Sequence, residues 1–231
     1  MKAYFFDLDG TLTDARAGLH VSFRAAIGAI GVEQASDAEL DGFLGTPLPE
    51  MFRALKPGIS KKEIMRGIDA FRETYEAKGI ARNRLYPGII EMLDAIVRRS
   101  ATIWVVTSKP EHYAKHVVGD LKLERYLGGV VGAGLDESDT KAELISRTLV
   151  AAKVAREDVL MVGDRYYDIE GALQNRIVPV GALWGYGNYE ELHGAGCRYF
   201  AKSPAEFQAQ YVERPFEPAA QAQSSRAQAI G

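Results

Sequence analysis

The sequence predicts an α/β fold, a parallel sheet covered on both faces by helices, with a small helical block inserted after the first strand. Three observations carry that expectation. Five short apolar runs, at residues 3–6, 102–106, 130–133, 159–162 and 178–181, have the length of buried strands, and most are rich in β-branched or aromatic side chains. Amphipathic stretches of helical length lie between them, the alternation expected of a parallel sheet. From about Asp14 to about Gly79 this rhythm stops, with no convincing strand and three helical patterns in succession.

The first run, Ala3-Tyr-Phe-Phe6, leads straight into Asp7. Helical spacing then appears at 17–30, 49–55 and 61–78, separated by the breakers Gly45-Thr-Pro47 and Pro57-Gly58. Tyr86-Pro-Gly88 marks re-entry into the sheet, with Pro87 near a helix start. Residues 88–99 and 140–152 carry apolar side chains at three- and four-residue spacing, which predicts helices packed on the sheet. These limits assign 1–14 and 80–212 to an α/β core and 15–79 to a separate helical domain or lid. From Glu213 to Gly231 the chain turns to Pro, Ala, Gln and Ser without apolar periodicity, and a disordered tail is expected.

With 231 residues, 47% hydrophobic, the chain is large enough to bury roughly 70% of its unfolded surface without disulfides or a structural metal. Its 28 basic and 31 acidic side chains give a net charge of −3, which argues against a nucleic-acid polymer as partner. The single cysteine, Cys197, excludes a disulfide framework and a cysteine-built zinc site, and favours a reducing compartment. Charge enters the N-terminal Met-Lys-Ala-Tyr-Phe-Phe-Asp too early for a signal peptide or a membrane span. The expectation is a cytoplasmic protein without a membrane partner, monomeric or homodimeric.

Acidic residues gather just past the strand ends. Asp7 and Asp9 follow the first run, and Asp164 and Asp168 follow the fourth. In a parallel sheet the carboxyl ends share one edge, where ligands bind, so these carboxylates converge. Several negative charges in one small site require a cation, and oxygen-only ligands with room for water suit Mg²⁺. The opposite polarity comes from the other strand ends. Thr107-Ser108 offers hydroxyls, and Lys141 opens a helix whose N-terminus favours an anion. Together these groups describe a phosphate site.

Taken in order, Asp7-Leu-Asp9-Gly-Thr-Leu-Thr, Val-Val-Thr107-Ser, Lys141 and Gly-Asp164-Arg-Tyr-Tyr-Asp168 resemble the motifs of the haloacid dehalogenase superfamily of aspartate-nucleophile phosphatases. The resemblance spans nearly all of 1–210. Phe-Leu-Gly-Thr-Pro-Leu, Leu-Tyr-Pro-Gly, Thr-Ser-Lys-Pro and Trp-Gly-Tyr-Gly are similar to the phosphoglycolate phosphatase-like branch and its bacterial 5′-nucleotidase-like members. The resemblance implies a Rossmann-like three-layer core with a helical cap, and a Mg²⁺-dependent phosphatase acting on small phosphate monoesters. Nucleoside 5′-monophosphates or phosphoglycolate are the implied substrates.

It further implies that Asp7 is the nucleophile and forms an aspartyl phosphate, while Asp9 is general acid and then general base. Asp164 would ligate Mg²⁺ with Asp7 and the backbone carbonyl of Asp9, and Asp168 would orient Lys141 or metal-bound water. Thr107 and Lys141 would hold the transferring oxygens, and Gly10 and Thr11 would serve the tight turn after Asp9. Ser108 competes with Thr107 for the hydroxyl role. Lys109 either rivals Lys141 or simply opens a helix. A sugar-phosphate mutase retains the same residues and is the nearest alternative. A dehalogenase has no need of Asp9, and a phosphorylation-dependent signalling domain is shorter and has no helical insertion.

The remaining candidates read as structural. His20, His112, His116 and His193 are expected at the surface, Cys197 buried or inert, and Trp104, Phe5 and Phe6 in the core. The glycines around 128–134 match no nucleotide-binding spacing. Arg53, Arg72, Tyr75 and Lys78 lie in the block that would select substrate, but each reads first as solvated helix surface. The Trp184-Gly-Tyr-Gly loop either approaches the site or does not; the sequence leaves both open.

Overall fold

The computed structural model describes residues 1–231 except 34, 136–138, 215 and 217–231. Strand β1 (Ala3–Phe6) is followed by the two-residue strand β2 (Thr13–Asp14). A helical block follows: α1 (Arg16–Ala29), α2 (Asp37–Asp41), α3 (Leu48–Leu55) and α4 (Lys61–Thr74), which runs into a π-helical turn at Tyr75–Gly79. The chain returns through β3 (Arg84–Leu85), antiparallel to β2, so both connections to the block pass through one small ribbon. Alternation then resumes with α5 (Ile89–Arg98), β4 (Thr102–Pro110), α6 (Glu111–Asp120) and β5 (Leu127–Ala133). It continues through α7 (Lys141–Ala152), β6 (Val159–Gly163), α8 (Tyr166–Gln174) and β7 (Val178–Ala182). The short elements α9 (Tyr189–Gly194), β8 (Tyr199–Ala201) and α10 (Pro204–Phe207) follow, and α10 runs into a π-helical turn at Gln208–Val212.

The main sheet has the order β5-β4-β1-β6-β7-β8, with every pairing parallel. Chain order reverses at β1, which pairs Phe5 with Trp104 on one side and with Met161 on the other. That reversal opens a crevice at the carboxyl ends of β1, β4 and β6. Side-chain alternation divides β1 between two cores. Tyr4 and Phe6 join Met92, Ile96, Val117 and Phe207 under α5, α6 and α10. Ala3 and Phe5 join Leu144, Ile145 and Ala172 under α7 and α8. Burial of each such aromatic or aliphatic side chain contributes about 1.5–3 kcal/mol, which is why a strand of four residues suffices at the centre.

The helical block has its own core, in which Phe23, Ile27, Ile30, Leu40, Met51, Phe52 and Ile64 are buried together. Its helix starts are specified locally. Ser36 with Glu39 and Ser60 with Glu63 form capping boxes at α2 and α4, and Thr140 with Glu143 does the same at α7.

The structure extends the sequence reading in three places. Strand β4 runs four residues beyond the apolar run, carrying Thr107 and Lys109 along the sheet edge. β8, α6 and α8 have weak local signals and form because the sheet edge and faces cover them. At the C-terminus the Arg99 guanidinium donates to the Glu213 carbonyl at 2.6 Å, and Phe216 packs edge-on against Tyr199 and Tyr211. Residues 217–231 of the expected tail lie outside the described residues.

The surface reading of the histidines fails at His20. It is 7% exposed, with Nε2 at 2.9 Å from Asp41 and Nδ1 at 3.4 Å from Asp37. The five-residue helix α2, which the periodicity did not predict, brings both aspartates onto α1.

Candidate active site

Asp7 is the first residue after β1 and is 4% exposed. Lys141 reaches it from the first turn of α7, with Nζ 2.8 Å from Asp7 Oδ1, 2.8 Å from Asp168 Oδ1 and 3.0 Å from the Val106 carbonyl. The Thr140 cap fixes where α7 begins and so directs this side chain into the crevice. Burial alone would lower the Lys141 pKa, but Asp168 and Asp7 more than reverse that and hold the ammonium charged.

Asp164 follows β6 and is completely buried. Its Oδ1 accepts from the Thr11 hydroxyl at 2.8 Å and its Oδ2 from the Tyr186 amide at 2.9 Å. The backbone makes room for it: Gly10 has φ +90°, and a Cβ there would stand 2.3 Å from Asp164 Oδ2. Only glycine satisfies both conditions. Asp168, in the first turn of α8, accepts from the Arg165 amide at 3.1 Å through Oδ2, and its Oδ1 forms an ion pair with Lys141 at 2.8 Å. Burial pushes the Asp168 carboxyl up to about 6, with Lys141 pulling it down and Asp7 adding to the rise. Burial also raises Asp164, reinforced by the charges of Asp7 and Asp168.

Asp7, Asp164 and Asp168 each place a carboxylate oxygen within 4.8 Å of the others. Against these three negative charges the cluster itself holds one positive charge, that of Lys141, leaving a buried excess of two. A divalent cation removes that excess, and an all-oxygen donor set suits Mg²⁺.

Asp9 points elsewhere. Its Oδ2 lies 2.5 Å from Lys109 Nζ and its Oδ1 accepts from the Thr13 hydroxyl at 3.1 Å. Lys109 also donates to the Tyr75 hydroxyl, which accepts a second bond from Asn83 Nδ2 at 3.2 Å. Thr107 is buried and its hydroxyl accepts from the Lys109 amide at 3.2 Å, whereas Ser108 is exposed. All of these groups except Thr13 and Asn83 border one cavity of about 620 Å³, within the range of small-molecule sites. Its floor is the sheet edge. Its roof is the helical block, through Leu19, Phe23, Leu48, Ile68, Phe71 and Tyr75.

Residues 4–182 match the model of the haloacid dehalogenase-like hydrolases. The chain belongs to that family. It is 36% identical over 188 residues to a 5′-nucleotidase of Pseudomonas aeruginosa, covering 81% of this chain and 85% of the relative. It is 35% identical over 183 residues to the tyrosine-protein kinase PtkA of Mycobacterium tuberculosis, covering 79% of this chain but only 62% of that protein. Among solved structures, a predicted phosphatase from Clostridium acetobutylicum superposes with a TM-score of 0.84 at 32% identity, over 90% of this chain and 96% of that one. The fold is therefore the α/β fold of the haloacid dehalogenase-like hydrolases.

The structure places Asp7, Asp9, Thr107, Ser108 and Lys141 along one cavity and Asp164 and Asp168 in the acidic cluster with Asp7, and it revises the reading of Tyr75 while deciding those of Lys109, Arg72 and the Trp184 loop. Lys109 is the penultimate residue of β4 rather than the opening of a helix, and its side chain pairs with Asp9. Tyr75 is 1% exposed and part of the cavity wall, not solvated surface. A legible signal was present: Ile64, Ile68, Phe71 and Tyr75 recur at spacings of four, three and four, the inner face of one helix. Arg72 also borders the cavity and donates to the Leu135 carbonyl at 2.6 Å, whereas Arg53 and Lys78 are exposed. The Trp184-Gly-Tyr-Gly loop does approach the site, since the Trp184 indole donates to the Thr11 carbonyl at 2.9 Å and Tyr186 holds Asp164.

Proposed function

We propose that the protein is a Mg²⁺-dependent phosphatase that hydrolyses small phosphate monoesters through an aspartyl phosphate on Asp7. Nucleoside 5′-monophosphates and phosphoglycolate are its proposed substrates. The observation that carries this reading is the split environment of two carboxylates on adjacent alternate positions. Asp7 faces Lys141 within the buried acidic cluster, while Asp9 stands outside it against Lys109, and both border the same cavity.

Asp7 attacks phosphorus, an Asp7 oxygen–phosphorus bond forms, and the bond to the leaving oxygen breaks. Asp9 gives its proton to that oxygen, then takes one from the water that releases phosphate. Lys141 and Thr107 hold the transferring oxygens, and the buried ammonium stabilises charge as it develops there. Mg²⁺ held by Asp7, Asp164 and the Asp9 carbonyl, with Asp168 orienting Lys141 or bound water, would screen the repulsion between carboxylate and phosphate dianion. The helical block, residues 15–79, acts as a cap that excludes water and selects the leaving group.

Phosphate release from nucleoside monophosphates, phosphoglycolate and sugar phosphates tests this directly. Release should require Mg²⁺, vanish in EDTA, and fall by about a thousandfold or more in Asp7→Asn. No release from any of them by folded, Mg²⁺-supplied protein overturns the reading. Phosphate transfer between sugars without release identifies a mutase instead.

A further inference from the structure

Lys109 and Tyr75 have no part in the mechanism above, yet they surround one of its two carboxylates. The Lys109 side chain is only 7% exposed and that of Asp9 18%, and their charged atoms are 2.5 Å apart. Lys109 Nζ lies 4.5 Å from the Tyr75 ring centroid as well as donating to its hydroxyl. Tyr75 is itself rigidly seated, stacked on Phe71 at 5.7 Å and met edge-on by Tyr113 at 5.6 Å. Asn83 holds its hydroxyl from the far side. Burial keeps the Tyr75 phenol above its ordinary pKa, so the neutral hydroxyl is the acceptor.

The chain runs from α4 into the π-helical turn at Tyr75, so this ring belongs to the helical block. Lys109 belongs to the sheet. We propose that Tyr75 is a positioning residue which acts through Lys109 on Asp9, so that the helical block fixes the acid–base carboxylate of the sheet. A lysine on four flexible carbons holds one place poorly with a single acceptor. Two acceptors on different elements, Asp9 Oδ2 and the Tyr75 hydroxyl, define its position and with it the aim of the Asp9 carboxylate. Thr13 fixes the other Asp9 oxygen, so the carboxylate is held at both ends.

The inference rests on the reading of Asp9 as acid–base and is tested by leaving-group dependence. An alkyl phosphate such as a nucleoside monophosphate needs a proton on its leaving oxygen, whereas p-nitrophenyl phosphate departs readily without one. Tyr75→Phe keeps the ring and removes one hydroxyl. It should lower kcat for the nucleoside monophosphate by about tenfold, the loss typical of a hydrogen bond to a charged group, with KM changed less than about twofold. The first-turnover burst of p-nitrophenolate should change less than about threefold. Lys109→Met should show the same selectivity more strongly, and Lys109→Arg should restore part of it. An equal loss on both substrates, a change confined to KM, or no change in kcat overturns the positioning role. Failure of the wild-type protein to release phosphate from either substrate would instead overturn the phosphatase reading itself.

Discussion

The floor and the roof of the cavity are built on opposite principles. The floor rests on a buried electrostatic cluster in which Asp7, Asp164, Asp168 and Lys141 are each at most 4% exposed. The roof is an apolar helical core with Phe52, Met51 and Ile27 completely buried. Polar contacts join the two halves: the Arg165 guanidinium pairs with Glu191 at 2.8 Å and donates to the Leu44 carbonyl, Arg72 reaches Leu135, and Tyr186 accepts from the Ala15 amide at 2.8 Å. Buried charges are position-sensitive and unforgiving, whereas apolar packing tolerates a change of shape if volume is kept. A fixed reaction over a roof that can vary is what this division allows.

The sharpest way to break the comparison is to remove charge balance from the floor. Lys141→Met leaves Asp7 and Asp168 without their shared partner and should destabilise the metal-free protein by about 3–5 kcal/mol, measured by urea unfolding. It should also abolish phosphate release even where Mg²⁺ restores the fold. If stability is unchanged, the floor is not held by charge balance.

In the roof, Phe52→Ala should cost about 3–4 kcal/mol through the cavity it leaves. Because the helical block has its own core, activity on saturating p-nitrophenyl phosphate should survive better than the melting temperature does. An equal collapse of both would show that roof and floor are one cooperative unit.

Metal gives a smaller effect that separates the halves again. Asp164 and Asp168 titrate above the ordinary carboxylate value of about 4, with Asp168 at about 6. The raised Asp168 value means that its contribution to stability is present below the unfolded value and is lost as pH rises through about 6, and the raised Asp164 acts in the same direction. In EDTA the melting temperature should therefore fall between pH 4.5 and 7. Mg²⁺ at a hundredfold excess over its Kd should return about 2.7 kcal/mol at neutral pH and little at pH 4.5. Differential scanning calorimetry reads both trends, and a pH-independent Mg²⁺ shift would remove the cluster as the binding site.

Much of the floor was legible in the sequence because its residues sit one or two positions past strongly apolar strands. Once β1, β4 and β6 are parallel neighbours, Asp7, Thr107 and Asp164 must share an edge. Lys141 was readable from the Thr140-x-x-Glu143 box that starts its helix. The roof was harder. Tyr75 sat on a legible helical face, but a tyrosine there is equally compatible with an exposed rim. His20 was misplaced because its partners come from α2, too short for periodicity to reveal.

What the sequence determined by itself was everything set by local pattern: strand runs, capping boxes, the turn glycine at position 10, and carboxylates at strand ends. Tertiary structure alone decided the pairings. That Asp9 turns to Lys109 while Asp7 turns to Lys141, and that a ring from the helical block joins the first pair, depends on contacts between residues 34 to 134 positions apart. Side-chain identity fixes what each group can bond to. Only the packed chain fixes which of several possible partners comes within reach.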